Sequence, residues 1–505
     1  MPAPAPELRP ARLVLPDKTP PPEPFATMPD APHDAEVECR DAPRPTLGQR
    51  EAVTLIVGIV IGAGIFKAPA AVAGLTGSPG WMFLAWTLGG ALSLVGALCY
   101  AELATSHAHA GGDYHYLREA YGRGLAFLFG WARYAVITTG SIALLAFVFG
   151  DYAQQALPLA SLAPAAGATV YAAAAVVALA AVNLAGIRSG SRTQNWLTFV
   201  EVGGLLLVGG VPLALAAGGA TPSPAAAAAA AGGAPAAFGL AMVFVLLTYG
   251  GWNEAAYISA ELRGGPRAMV RALVLSVALI TALYLLVCWA YWHALGMAAL
   301  AASSAPAADV LRLGLGDAGS EAIALLVAVS ALTSINATMI VGARTGYALG
   351  RDWPRLRRLA RWDGARGSPA SAMLLQTAAA LLLVGIGSGS GDGFRAMVEF
   401  TAPVFWLFFL LTGIALFVLR RRDPARPRPF RVPWYPLLPL VFCASCTAML
   451  WASLTHVASQ SLGGVNAAWI GVAVLAAGLL LLVVLRHDDG QRAAPAAFEP
   501  EEKRR

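Results

Sequence analysis

From Val53 to Leu485 the chain is a succession of long apolar segments, each close to the length that carries a helix through a bilayer. Crossing the hydrocarbon core takes ~20 apolar residues, because backbone N–H and C=O groups find no water there and must bond internally. These segments dominate the composition: 57% of the 505 residues are hydrophobic and only 13% are charged. A water-soluble domain with that balance would expose more apolar surface than water tolerates. The expected fold is therefore an all-α integral membrane protein.

About twelve segments meet the length requirement. They are read at Val53–Ala73, Trp81–Thr105, Leu125–Phe149, Val170–Ile187, Trp196–Ala217, Phe238–Ser259, Ala272–Ala294, Ala322–Ala348, Ser371–Ile386, Ala396–Leu419, Tyr435–Leu454 and Ala467–Leu485. With a cytoplasmic N-terminus the even-numbered spans all end inside, and retained loops should be rich in Arg and Lys. They are: Arg118 and Arg123, Arg188 and Arg192, Arg263 to Arg271, Arg351 to Arg366 and Arg420 to Arg431 fall on that side. The opposite loops are almost free of cations, with Arg312 and Arg395 as the exceptions. Topology thus accounts for the net charge of +6, which removes it as an argument for nucleic-acid binding. The expected setting is a multi-pass position in a bacterial inner membrane with both termini cytoplasmic.

Residues 1–47 are Pro-rich, mixed in charge and lack the apolar core of a signal peptide, so they are read as a disordered cytoplasmic tail, with Met28 as an alternative start. Residues 48–419 would form the ten-span core and 420–486 a basic loop with the last two spans. A short cytoplasmic tail, 487–505, follows. The five cysteines fall mostly within apolar spans, and Cys443 and Cys446 have no second pair or histidine nearby, so neither a disulfide framework nor a metal site is expected.

Two spans are interrupted. The first carries Gly62-Ala63-Gly64 amid aliphatic residues, and the sixth reads Leu247-Thr248-Tyr249-Gly250-Gly251-Trp252-Asn253-Glu254. Glycine loosens a helix. Taken as spans one and six of two five-span halves, they occupy corresponding positions, which is the sequence pointer to an inverted-repeat transporter with its substrate site at the midplane. Where a half-helix starts, free N–H groups suit an anion; where one stops, free C=O groups suit a cation. A zwitterion satisfies both. The alternative is that the glycines merely allow close helix packing.

Several motifs in order resemble the amino acid-polyamine-organocation superfamily, and within it the L-type branch and its bacterial relatives. Gly62-Ala-Gly-Ile-Phe66 is similar to GSGIF, Ala110-Gly-Gly-Asp-Tyr-His-Tyr-Leu117 to SGGxYxYL, Tyr249-Gly-Gly-Trp-Asn253 to YxGWN, and Glu261 through Ala272 to EExxNPxRxxPRA. Phe400 to Trp406, Gly130-Trp131 and Gly140-Ser141 extend the likeness, which covers Gly48 to about Arg486. The resemblance implies a LeuT-like 5+5 inverted repeat plus two further helices, with spans one and six unwound at mid-membrane around Gly62 and Gly250. It implies a substrate carboxylate on the amides of Ala63, Gly64 and Ile65. The ammonium would meet the carbonyls of Val60, Ile61, Leu247, Thr248 and Gly250, with Asn253 steadying the unwound stretch and Tyr249 and Trp252 beside the pocket.

The chain departs from the family pattern in three places. Leu247 replaces a gating aromatic, which implies a looser lid or a bulkier substrate side chain. Gly264, Gly265 and Val270 replace the Asn-Pro and Pro of the cytoplasmic turn. Glu201 stands where many relatives carry a lysine that substitutes for a sodium ion, which inverts the local charge.

An ionisable group inside a span implies pairing or function. Glu201 either pairs with a cation such as Arg133 or Arg344 or, with Ser330, Thr333 and Ser334, takes up a coupling ion, H+ or Na+. Glu254 either reads a basic substrate side chain or bonds a neighbouring helix. No nucleophile, Walker or dinucleotide motif is present, so no enzymatic activity and no cofactor are expected. The expected function is secondary active transport of amino acids, as symporter or exchanger. The alternatives are a polyamine or organic-cation transporter of the same fold, or a solute sensor. Animal L-type members join a glycoprotein through a cysteine between spans three and four; Asp151 to Gly167 has none, so no disulfide-linked subunit is expected.

Overall fold

The computed structural model describes residues 48–107, 112–185, 191–217, 235–253, 265–361, 369–390, 392–457, 461–462 and 465–492. Glu254 and the segment 1–47 lie outside these residues. The chain is almost wholly helical, because a backbone passing through lipid must bond to itself. Helix α1 (Gln49–Val60) and α2 (Ala68–Thr76) share the first span, separated by a 3-10 turn at Ala63–Phe66. They are followed by α3 (Pro79–Ser106), α4 (Gly112–Tyr121), α5 (Arg123–Ala156), α6 (Pro164–Leu184) and α7 (Ser191–Ala217). Then come α8 (Pro235–Thr248), α9 (Gly265–Ala302), α10 (Pro306–Asp352) and α11 (Ala370–Ser388). Last are α12 (Gly393–Arg422), α13 (Leu437–Val457) and α14 (Ala467–Arg492). A small antiparallel ladder, Ser461–Leu462 with Val465–Asn466, joins α13 to α14.

Among the described residues, eight helices are long and apolar enough to cross a membrane, and Phe199–Ala214, Ala237–Thr248 and Ala473–Leu485 are shorter apolar helices. The expected first span contributes no long helix because it is divided in two. Leu325, Leu382 and Leu480 are 61%, 64% and 68% exposed on outward helix faces. In water such a surface would aggregate; in lipid it is the natural boundary.

Two regions taken as loops contain helix. Gly112–Tyr121 is α4, and α10 begins at Pro306 and runs through a kink at Gly316, where φ is 67°. Arg312, one of the two exceptions to the charge pattern, lies in that added helix, 3.6 Å from Asp309 and 3.4 Å from Asp317. The other, Arg395, bonds Glu399 at 2.9 Å. Both exceptions therefore have an acidic neighbour to answer them.

Helices α1, α2, α3, α8 and α9 pack on one another, as do α5, α6, α10, α11 and α12. Glycine lets helices of the second group approach: a Cβ on Gly140 would collide with Thr401, and one on Gly346 would lie 2.7 Å from the Tyr134 ring. The 3-10 turn of the first span faces α5 and α10, so the interruption sits where the two groups meet.

Candidate functional site

The first span loses its α-helical bonding after Val60. Gly62 is extended (φ −102°, ψ −179°), and the next residues wind as the tighter 3-10 turn that ends at Phe66. A 3-10 turn leaves the N–H groups of its first two residues, here Ala63 and Gly64, without partners inside the turn, while that of Ile65 is directed at the carbonyl of Gly62. The sixth span stops at Thr248, turns through Tyr249 to Gly251, and has φ of 111° at Gly251, a conformation glycine adopts without strain. The two interruptions are neighbours: a Cβ on Gly64 would touch Thr248 Cγ2 at 3.7 Å, and one on Gly62 would lie 3.9 Å from Ser334 Oγ on α10.

Several of the carbonyls assigned to an ammonium group already have donors. Gly62 N bonds Val60 O at 2.9 Å and Gly250 N bonds Leu247 O at 3.0 Å. Tyr284 on α9 places its hydroxyl 3.1 Å from Val60 O and 3.2 Å from Thr248 O. It therefore reaches the last helical carbonyl of each interrupted span. Leu247 O and Thr248 O each retain a second lone pair, whereas Val60 O is faced by two donors. Tyr284 is fully buried against Trp86 and Tyr249, with ring centroids 5.5 and 5.0 Å away, and Tyr249 in turn donates to Trp86 O at 3.1 Å.

Trp252 is buried among aromatic side chains. It packs edge-on against Tyr100 and Phe409, with centroids at 5.2 and 5.6 Å, and Gly96 makes room for its indole. Asn253 is buried one residue further on. A narrow cavity adjoins Gly250, walled by Leu246, Trp252, Phe405, Phe409 and Phe442, and lined also by Ser93 and Trp406. Neither Ser93 Oγ nor Trp406 Nε1 has a hydrogen-bond partner.

The acidic residue of the fifth span meets α10. Ser330 donates to Glu201 Oε1 at 2.5 Å, while Glu201 Oε2 is buried with no partner. Ser334, one turn beyond Ser330, faces Gly62; Thr333 instead returns its hydroxyl to Val329 O. Glu201, Ser330, Ser334 and the first interruption are thus gathered, and Thr333 is not. Among the described residues Glu201 meets a hydroxyl rather than Arg133 or Arg344.

At the end of α3 the buried Glu102 is held by Arg420, 2.6 Å from Nε to Oε1, and by the Val432 amide at 2.7 Å. His107 is buried beside them, and burial together with the nearby Arg426 guanidinium pushes its pKa down to about 4. Among the described residues no cluster of His, Cys, Asp and Glu could hold a metal. The structure brings forward two further features, Tyr284 and the part-buried pair Lys67–Asp151. A lysine within an otherwise apolar span was the available signal for the second.

A profile of the amino acid permease family matches residues 47–477. The chain belongs to this family. The permease is 32% identical over 389 residues to the human b(0,+)-type amino acid transporter 1, covering 77% of this chain and 78% of the relative. It is 28% identical over 402 residues to the human cystine/glutamate transporter, covering 80% and 79%. It is 26% identical over 411 residues to the serine/threonine exchanger SteT of Bacillus subtilis strain 168, covering 81% and 91%. Family membership and its apolar helices make the permease a multi-pass membrane protein of the amino acid-polyamine-organocation superfamily, and a transporter rather than an enzyme.

Proposed function

We propose that this permease carries amino acids across the membrane by alternating access, driven by a gradient of an ion or of a second solute. The observation that carries the reading is the adjacency of the two interrupted spans, with Gly64 against Thr248 and Tyr284 between their terminal carbonyls. The substrate carboxylate lies on the N–H groups of Ala63 and Gly64, next to Ile65. Its ammonium lies near the carbonyls of Ile61 and Gly250, sharing Leu247 and Thr248 with their present donors. Tyr249 and Asn253 support the sixth-span turn. The substrate side chain points into the cavity beside Gly250 and Trp252, whose lining carries no charged residue and so favours an uncharged group.

The fold is a LeuT-like inverted repeat with about twelve spans. Helices α1, α2, α3, α8 and α9 rock against α5, α6, α10 and α11, in keeping with the two packing groups. Glu201, with Ser330 and Ser334, accepts the coupling ion, H+ or Na+, next to Gly62. Both termini are cytoplasmic, because arginines concentrate at the Glu102 end of the helices. No disulfide-linked subunit is needed, since no cysteine lies between Asp151 and Gly167.

Counterflow in proteoliposomes against a panel of labelled neutral amino acids, basic amino acids and diamines tests the assignment. Uptake of neutral amino acids with stereoselectivity supports it. Uptake of diamines alone, or binding without movement, would overturn it in favour of an organic-cation carrier or a sensor.

A further inference from the structure

Lys67 directly follows the 3-10 turn and caps the start of α2. Its ammonium lies 2.6 Å from Asp151 Oδ2 on α5 and donates to Ser304 O at 3.0 Å, in the link between α9 and α10. Side-chain exposure is 9% for Lys67 and 22% for Asp151, so the pair is shielded but close to a rim. The next residue of α5, Tyr152, donates to Phe66 O at 2.8 Å and accepts from Ala307 N at 3.4 Å. Polar contacts therefore tie the far side of the first interruption to α5 and to the α9–α10 link at once.

Burial differs between the two sides of this tie. Ile65, Phe66, Tyr152 and Ala307 are completely buried, whereas Gly62, Gly64, Thr248 and Ser334 retain partial exposure. The residues around the tie itself are closed to solvent. Lys67 lies between the first interruption and the end of the molecule where α3 begins, opposite the arginine-rich end where Glu102 meets Arg420. By charge distribution the Lys67 end faces outward.

A buried ion pair adds little stability over a well-packed apolar pair, yet removing one partner is strongly unfavourable because the other charge stays buried. Such a contact is close to all-or-none, which suits a switch between discrete arrangements better than it suits plain packing. Lys67 also joins elements of the two packing groups, α2 on one side and α5 on the other.

The geometry points to Lys67 as a positioning residue: paired with Asp151 it latches the outer half of the first span shut, and the pair must part before the site opens outward. This inference rests on the alternating-access reading. The latch shifts the balance between arrangements, so its loss raises the outward-open population and, with it, apparent affinity for external substrate.

The test uses the full chain in right-side-out vesicles, with the native cysteines replaced and Ile65→Cys as reporter, probed with a membrane-impermeant maleimide. Lys67→Met is expected to raise the labelling rate several-fold and to lower the external KM while lowering maximal uptake. Lys67→Arg, and the exchange Lys67→Asp with Asp151→Lys, are expected to return labelling towards the parent rate. Should Lys67→Met fail to reach the membrane, Asp151→Asn removes the other charge and carries the same expectation. A labelling rate unchanged or reduced overturns the latch, even where uptake continues. Absence of uptake, with labelling insensitive to amino acids when Lys67 and Asp151 are intact, overturns the transport reading instead.

Discussion

Ser330 gives its hydroxyl hydrogen to Glu201 across 2.5 Å, a separation typical of a bond to a charged or proton-sharing carboxylate. The bond joins α10 to α7 inside the membrane, one turn from the serine that faces Gly62. Glu201→Gln keeps the shape and can still accept from Ser330, but it cannot exchange a proton or neutralise a cation. Uptake is expected to lose most of its pH or sodium dependence and to fall about 10-fold, equivalent to ~1.4 kcal/mol. Ion dependence measured in proteoliposomes at several pH values and sodium concentrations checks this; an unchanged profile removes Glu201 from coupling.

Tyr284→Phe deletes one hydroxyl and leaves the aromatic packing against Trp86 and Tyr249 intact. The carbonyls of Val60 and Thr248 lose a shared donor, a change of about 1 kcal/mol. Substrate affinity is expected to change about fivefold with little loss of thermal stability. Equilibrium binding and a melting curve on the same sample separate the site from the scaffold.

Glu102→Gln removes the charge that faces Arg420 and the Val432 amide. With Glu102 only 1% exposed, the guanidinium is left without its counter-charge, and destabilisation of about 3–5 kcal/mol is expected. Melting in detergent reads it directly. Arg420→Lys should be intermediate, since an ammonium replaces one arm of the fork but not both.

His107 has a depressed pKa, about 4 in the folded protein against 6.5 for the free side chain. Between those values the unfolded chain binds the proton and the folded one does not, so stability falls as pH drops from 6.5 towards 4 and is unaffected above that range. The full effect is about 3 kcal/mol. Replacing His107 with Gln should flatten this part of the stability curve, measured by melting temperature from pH 7.5 to 4.5.

Apolar length and glycine placement carried much of the architecture. The break after Val60 was readable because Gly62 and Gly64 interrupt a run of Ile and Val, and a helix weakened there has few local reasons to continue. Helix Pro306–Leu315 was not readable as such: its mixture of Ala, Asp and Arg has no membrane-length apolar run, and only packing on the rest of the molecule holds it. Pairings were the least visible. Ser330 and Glu201 are 129 positions apart and Lys67 and Asp151 are 84 apart, so no local periodicity connects them. Tyr284 looked like one more aromatic in a long apolar helix, because nothing in its neighbourhood along the chain indicates that its hydroxyl meets two interrupted helices at once.

Glu102 binds α3 to the arginine that closes α12 and to an amide in the segment leading into α13. A displacement of α3 by more than a few ångströms has to carry that segment with it or strip a buried carboxylate of its donors. On the proposed rocking motion, which moves α3, the late helices are thereby harnessed to a moving part, and the stiffness of that tether would limit how far each stroke can go.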